Sequence, residues 1–226
     1  MLFKLQKNMK SGTCPEHSRG MTYVELIVVL SIFSIITGTI IFNYKQFQQK
    51  VDLANLANDI GLKLVDAQKS STAGEIPFGK VPNPPPGEAW KPSYGLNFEF
   101  SPGSVSSIFY YFSDLDQNKY FDGITNNCPS TGGSSECLDI INTTQGYGIT
   151  NIRIYYNDPD FEYTEVTSET DVSISFTRPG SAASIKMDGY DAQQGGIDFI
   201  ILTLSNLEDS ATAEIKIHAS GKIEIN

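Results

Sequence analysis

The pattern of apolar and polar positions changes character three times along this chain. Leu26 to Phe42 runs 17 residues without a charge, and Met21 to Val24 extend that run to the length a membrane helix needs. From Phe47 onward the apolar residues thin to a stripe, Phe47, Val51, Leu53, Ala54, Leu56, Ala57, Ile60, Leu64 and Ala67, at steps of mostly three and four. Lys45, Gln48, Gln49, Lys50, Asp52, Asp59 and Lys63 fall between them. This predicts one long helix over 21–72, with a membrane-spanning inner half at 21–42 and an amphipathic outer half. About 45 residues at 1.5 Å each reach roughly 70 Å, more than twice a bilayer core. The outer stripe therefore needs an apolar partner, and a sheet is the expected one. No proline interrupts the helix, Gly38 offers a local loosening, and Ser31, Ser34 and Gly38 are small enough for close helix approach.

Residues 73–93 break the pattern with Ala73-Gly74, Pro77, Gly79, Pro82, Pro84-Pro85-Pro86-Gly87 and Pro92, a helix stop followed by a connector. Beyond it the period drops to two. Tyr94, Leu96, Phe98 and Phe100 alternate with Gly95, Asn97 and Glu99, and Ser101 to Ser104 turn the chain into Ile108 to Phe112. Further strands are expected at Ile149–Tyr156, Val172–Phe176, Ile185–Met187, Ile197–Leu204, Ala213–Ile217 and Lys222–Ile225. Ile197–Leu204 is, apart from Asp198 and Thr203, apolar on both faces and suits a central strand, while Ser220-Gly221 suits a hairpin turn. The predicted class is α+β, a long N-terminal helix packed on a mostly antiparallel sheet or sandwich at 94–226.

Charge sharpens this division. The first 20 residues carry Lys4, Lys7, Lys10 and Arg19 against Glu16, a net of +3. Removing that from the formal −10 of the whole chain leaves −13 for the rest. Phosphate recognition needs clustered cations, so the bulk surface argues against nucleic acid. Positive residues before the apolar run and few after it place the N-terminus in the cytoplasm and the C-terminal domain outside, as a single-pass membrane protein.

An ordinary secretory signal has its apolar region before the cut. Here the apolar run follows Ser18-Arg-Gly-Met-Thr-Tyr-Val-Glu25 and would be retained. On these residues the chain resembles the type IV pilin and pseudopilin family, whose basic leader ends in Gly, is cut, and leaves an apolar helix with a Glu at its fifth position. The resemblance implies a leader at 1–20 removed by prepilin peptidase after Gly20, an N-methylated Met21, and Glu25 neutralising the terminal amine of a neighbouring subunit. Its implied partners are other pilin or pseudopilin subunits, the inner membrane and an assembly platform, in a type IV pilus or a type II secretion pseudopilus. Met21 replaces the family's more common Phe, the leader is long, and Met9 is an alternative start. A finer resemblance, to the H-type minor pseudopilins, rests on Trp90, Tyr94 to Phe98, Phe176 to Gly180 and the turn at Gly221. The competing interpretation is an uncleaved signal-anchor carrying an extracytoplasmic ligand- or calcium-binding module. Glu25 opposes it, since a carboxylate in an apolar helix is kept where it finds a partner.

With Cys14 in the leader, cleavage would leave Cys128 and Cys137 as an even pair flanking a Ser- and Gly-rich loop, which suits a local disulfide in an exported domain. A zinc site would need companion ligands that are not nearby. One loop has cation-binding spacing: Asp114, Asp116, Asn118 and Asp122 fall at positions 1, 3, 5 and 9 of an EF-hand-like calcium loop, with the Tyr120 carbonyl at position 7. Lys119 stands where that motif has Gly, and Thr125 where it has a bidentate carboxylate. Glu136 or Asp139 would be substitutes, and a solvated acidic turn is the plain alternative. Calcium is the one candidate cofactor.

No catalytic arrangement is expected. His17 lies in the leader and His218 near a strand end, so no Ser-His-Asp or Cys-His set assembles. Gly195-Gly196 suits a turn, and the Asn142 sequon is usually chance in an exported bacterial-type protein. Tyr110, Tyr111, Tyr155, Tyr156 and Tyr163 suit cross-strand packing better than a stacking surface for DNA or sugar.

Overall fold

A helix with no internal proline starts at a capping residue and stops at a glycine, and both signals operate in α1, Tyr23–Ala73. At its start the Thr22 hydroxyl accepts from the Glu25 amide at 3.3 Å, and the Glu25 carboxylate accepts from the Thr22 amide at 3.4 Å. This is a reciprocal capping box. At its end Gly74 turns left-handed at φ 74°, while the Gly74 and Glu75 amides close on the Ser71 and Ser70 carbonyls. That pair of bonds is a Schellman stop. The computed structural model describes residues 20–123, 128, 135–143, 146–157, 163–187, 196–206 and 211–226. The leader residues before Gly20, Thr125, Gly195 and the sequon's Thr144 lie outside the described residues.

The chain divides into two units, 1–44 and 45–226. In the first, Tyr23–Ile41 is long and apolar enough to cross a membrane, and none of it is buried. Three of its hydroxyls are satisfied internally: those of Ser31, Thr37 and Thr39 donate to the Ile27, Phe33 and Ile36 carbonyls at 2.7–2.8 Å. No partner is needed for those groups in an apolar medium.

Among the described residues, the second unit contains the outer part of α1 and ten strands. Leu53, Leu56, Ala57, Ile60, Leu64 and Ala67 are buried along one face. Phe47 and Ala54, expected in the same stripe, are instead exposed. The buried face begins at Leu53 and runs in three- and four-residue steps apart from the adjacent pair Leu56 and Ala57, whereas Phe47 lies before it. These side chains share one hydrophobic cluster with Leu96, Phe98, Ile174 and Phe176 and with Ile152, Ile200, Leu202 and Ile215.

The strands form two antiparallel sheets of five. One, ordered β3-β2-β1-β6-β7, comprises Cys137–Asn142, Ile108–Ser113, Ser93–Phe100, Thr170–Thr177 and Ala183–Met187. The other, ordered β10-β9-β8-β4-β5, comprises Ile223–Ile225, Thr212–His218, Ile197–Asn206, Tyr147–Tyr156 and Thr164–Glu165. All eight strands expected from alternation are present, and β8 is central in its sheet. β3 and β5 were not anticipated: Cys-Leu-Asp-Ile-Ile-Asn does not alternate cleanly, and two residues carry no period. The β9–β10 turn is closed by Gly221 at φ 89°, and a side chain there would overlap the Ser181 carbonyl.

Register assigns the faces of the first sheet. Leu96 opposes Ile174 and Tyr111 on the core side, while Asn97 opposes Ser173 and Tyr110 on the other. That other side is also covered. Phe121, from the segment after β2, stacks on Tyr110 with centroids 5.1 Å apart, and its amide donates to the Ser173 hydroxyl at 3.2 Å. The Phe112 ring lies where a Cβ on Gly95 would stand. The segment following β2 is thereby laid over its own sheet, with Asp114 and Leu115 buried at its start.

Candidate functional site

The loop from Asp114 to Asp122 is wound by its own side chains. Asp114 accepts from the Gln117 amide at 2.6 Å and the Lys119 amide at 3.1 Å, Asp116 from the Asn118 amide at 3.1 Å, and Asn118 Oδ1 from the Tyr120 amide at 2.6 Å. Gln117 and Lys119 adopt φ of 67° and 70°. Lys119 thus takes the left-handed backbone that the calcium-loop pattern gives to glycine, at a cost of about 1–2 kcal/mol. The Asn118 amide donates to Asp116 at 3.2 Å and to Asp122 at 2.6 Å.

Glu136 enters from the segment before β3. Its carboxylate accepts from the Leu115 amide at 2.8 Å and the Asp122 amide at 2.9 Å. Carboxylate oxygens of Asp114, Asp116 and Glu136 lie within 4.8 Å of one another. Asp114 is 1% exposed and Glu136 3%, and Asp116 is half-buried. Of the two substitutes named for the absent twelfth-position carboxylate, the fold brings in Glu136. Asp139 points elsewhere, to Lys63 at 3.5 Å. Asp122 stands outside the three-carboxylate group and is tied to it through Asn118.

Burial dominates the electrostatics. It raises Glu136 to about 7 and Asp114 to about 6, against amide hydrogen bonds that favour the charged forms, and neighbouring carboxylates add to the rise. Asp122 is raised too, first by burial and then by Asp116. Three converging carboxylates in a dry site suit a hard cation, because protein oxygens replace the water that burial removed. Asp114, Asp116 and Glu136 would hold it.

Two features keep Glu136 in place. The buried Lys80 ammonium donates to the Ser135 carbonyl at 2.7 Å and the Cys137 carbonyl at 3.0 Å, on either side of Glu136. Burial lowers the Lys80 pKa. Next to Glu136, Cys137 is joined to Cys128 in a disulfide, Cα to Cα 5.5 Å. The connector adds its own ties: Trp90 Nε1 donates to the Asp114 carbonyl at 3.0 Å, and the Asn83 amide to the Leu115 carbonyl at 2.9 Å. Lys80 was not legible in the sequence, since a lone lysine in a Pro-rich connector signals nothing about burial.

At the other end of the chain Gly20, Met21 and Glu25 are all exposed. The box formed by Thr22 and Glu25 was missed in the sequence, where Thr-x-x-Glu is its signal, and it gives Glu25 a local bond in addition to any intermolecular one.

The tyrosines take packing positions. Tyr155 stacks on Phe199 at 4.2 Å, and Lys216 lies over the Phe199 ring at 3.6 Å. His218 lies beside Phe199, with Glu224 at 3.6 Å. No protein-family model matches the chain, and neither a curated protein nor a solved structure matches it.

Proposed function

We propose that this chain is a pilin-like structural subunit: cut after Gly20 by a prepilin peptidase, anchored by its apolar helix in the inner membrane, and assembled through that helix into a pilus or pseudopilus. The observation that carries this is the contrast along α1. Tyr23–Ile41 is apolar with no residue buried, while the same helix from Leu53 contributes to a β-sheet core. An unburied apolar face needs lipid or neighbouring copies, and like helices supply a face of equal length and character. The outer stretch of α1 serves as the mount that the sheets grip, with the Gln68 side chain donating to the Ser181 carbonyl at 2.9 Å. Glu25 lies in the first turn of the helix, and in the fibre it would neutralise the amine that cleavage creates on a neighbour's Met21. The H-type minor subunit is the finer form of this proposal and rests on the sequence resemblance at Trp90, Tyr94 to Phe98, Phe176 to Gly180 and Gly221.

N-terminal sequencing after peptidase treatment tests it: the mature chain starts at Met21, and any other start sinks the proposal.

A second reading is favoured by one observation, the recruitment of Glu136 to the acidic loop. In it the outer unit binds calcium through Asp114, Asp116 and Glu136, whether or not the leader is removed. Calcium raises the melting temperature of the full chain in detergent, and magnesium at the same concentration does so less. An unchanged melting temperature leaves the loop as a solvated acidic turn.

A further inference from the structure

We propose that the connector after α1 carries a hydrophobic plug, Phe78, which seats in a cleft of a second copy of this chain; this rests on the subunit role above and names its contact. Phe78 is 99% exposed, and its neighbours Ile76 and Val81 are 71% and 66% exposed. The segment is nevertheless fixed. Pro77 and Lys80 on either side are buried, the Lys80 amide donates to the Pro77 carbonyl at 3.2 Å, and Gly79 has φ 73°. Such a turn holds Phe78 out from the surface, so little ordering is needed on contact.

The receiving site is a cleft of about 490 Å³ walled mainly by Ala54, Ala211, Ala213 and Ile225, with Lys50 and Asn58 also lining it. Its walls are small and mostly apolar, and its volume admits an aromatic ring with an aliphatic neighbour. Ala54 and the end of α1 at Ala73 are separated by roughly 30 Å of helix, so a copy cannot fill its own cleft. Plug and cleft are different surfaces, and such a heterologous contact leaves one of each free for the next copy. Charge agrees in sign, with exposed Glu75 three residues before the plug and exposed Lys50 in the cleft.

The test places the photoreactive phenylalanine analogue p-benzoylphenylalanine at position 78 of the full chain in the membranes of expressing cells. Irradiation yields dimers and higher ladders whose cross-links map to 50–58 or 211–226 of another copy. Lys50→Glu, at an exposed position, lowers the dimer yield about tenfold, and Glu75→Lys in the same chain restores it. Ala54→Glu lowers the yield without changing the melting temperature. Cross-links to an unrelated protein or to other regions, or yields indifferent to Lys50→Glu and Ala54→Glu, overturn the proposal. A chain that starts at Met21 and multimerises through Glu25 without the 78-to-cleft cross-link removes the plug alone. A chain uncut at Gly20 that still cross-links at the cleft removes the subunit role and leaves the plug.

Discussion

In the proposed subunit role Glu25 has two demands on a single carboxylate, and they separate by chemistry. As a cap it needs only an acceptor, which Gln also provides; as a counter-charge to a neighbour's amine it must be ionised. Glu25→Gln therefore keeps the helix start yet fails to enter a sedimentable fibre. Thr22→Ala costs about 1 kcal/mol at the cap but still assembles. Normal fibre incorporation of Glu25→Gln contradicts the charge role. In the acidic loop, Glu136 and Asp114 are raised to about 7 and about 6. A carboxyl whose folded value exceeds its unfolded one binds its proton more tightly in the native chain. Its contribution is complete below the unfolded value and lost as pH rises through the folded one. Without divalent cations, then, melting temperature falls between about pH 4 and pH 7. Glu136→Gln flattens that slope, and a slope indifferent to Glu136→Gln refutes its assignment. On the calcium reading proposed above, only the ionised carboxylates take the cation, so calcium recovers the loss at pH 7 and not at pH 5.

At the scale of elements, the acidic loop is held by segments distant in sequence. The Lys80 ammonium reaches the carbonyls on both sides of Glu136, and the disulfide ends at the next residue. Lys80→Met leaves two inward carbonyls without their donor and destabilises the chain by about 2–4 kcal/mol. Cys128→Ser with Cys137→Ser opens a short loop and costs about 2–3 kcal/mol. The two effects are measured by denaturant unfolding. Because both act on the same few residues, the triple variant loses less than their sum, whereas strict additivity shows that they do not share Glu136.

For the second unit as a whole, one apolar cluster contains helix residues and residues of both sheets. Leu64 is fully buried in it. Leu64→Ala therefore loosens helix and sheets together, by about 2–5 kcal/mol, in one unfolding transition followed equally by helical and aromatic signals. Two separated transitions in this variant mean that the sheets hold a core without the helix.

The local pattern of side chains settles what depends on period and on single residues: the apolar span, the buried stripe from Leu53 to Ala67, the eight alternating strands, the helix stop at Gly74 and the turn at Gly221. Each is dictated by neighbours a few positions away, through burial of one face or by a backbone angle that glycine adopts cheaply. The spacing of Asp114, Asp116, Asn118 and Asp122 was legible for the same reason. What needed the tertiary structure was every choice between distant alternatives. Glu136 joins that loop and Asp139 does not, because β3 pairs with β2 in a register that turns one inward and the other toward Lys63. Lys80 is buried because the connector folds back onto that strand's entry, and β5 exists only because β4 offers it an edge. Periodicity records which face of an element is apolar; it carries no record of which element will meet that face.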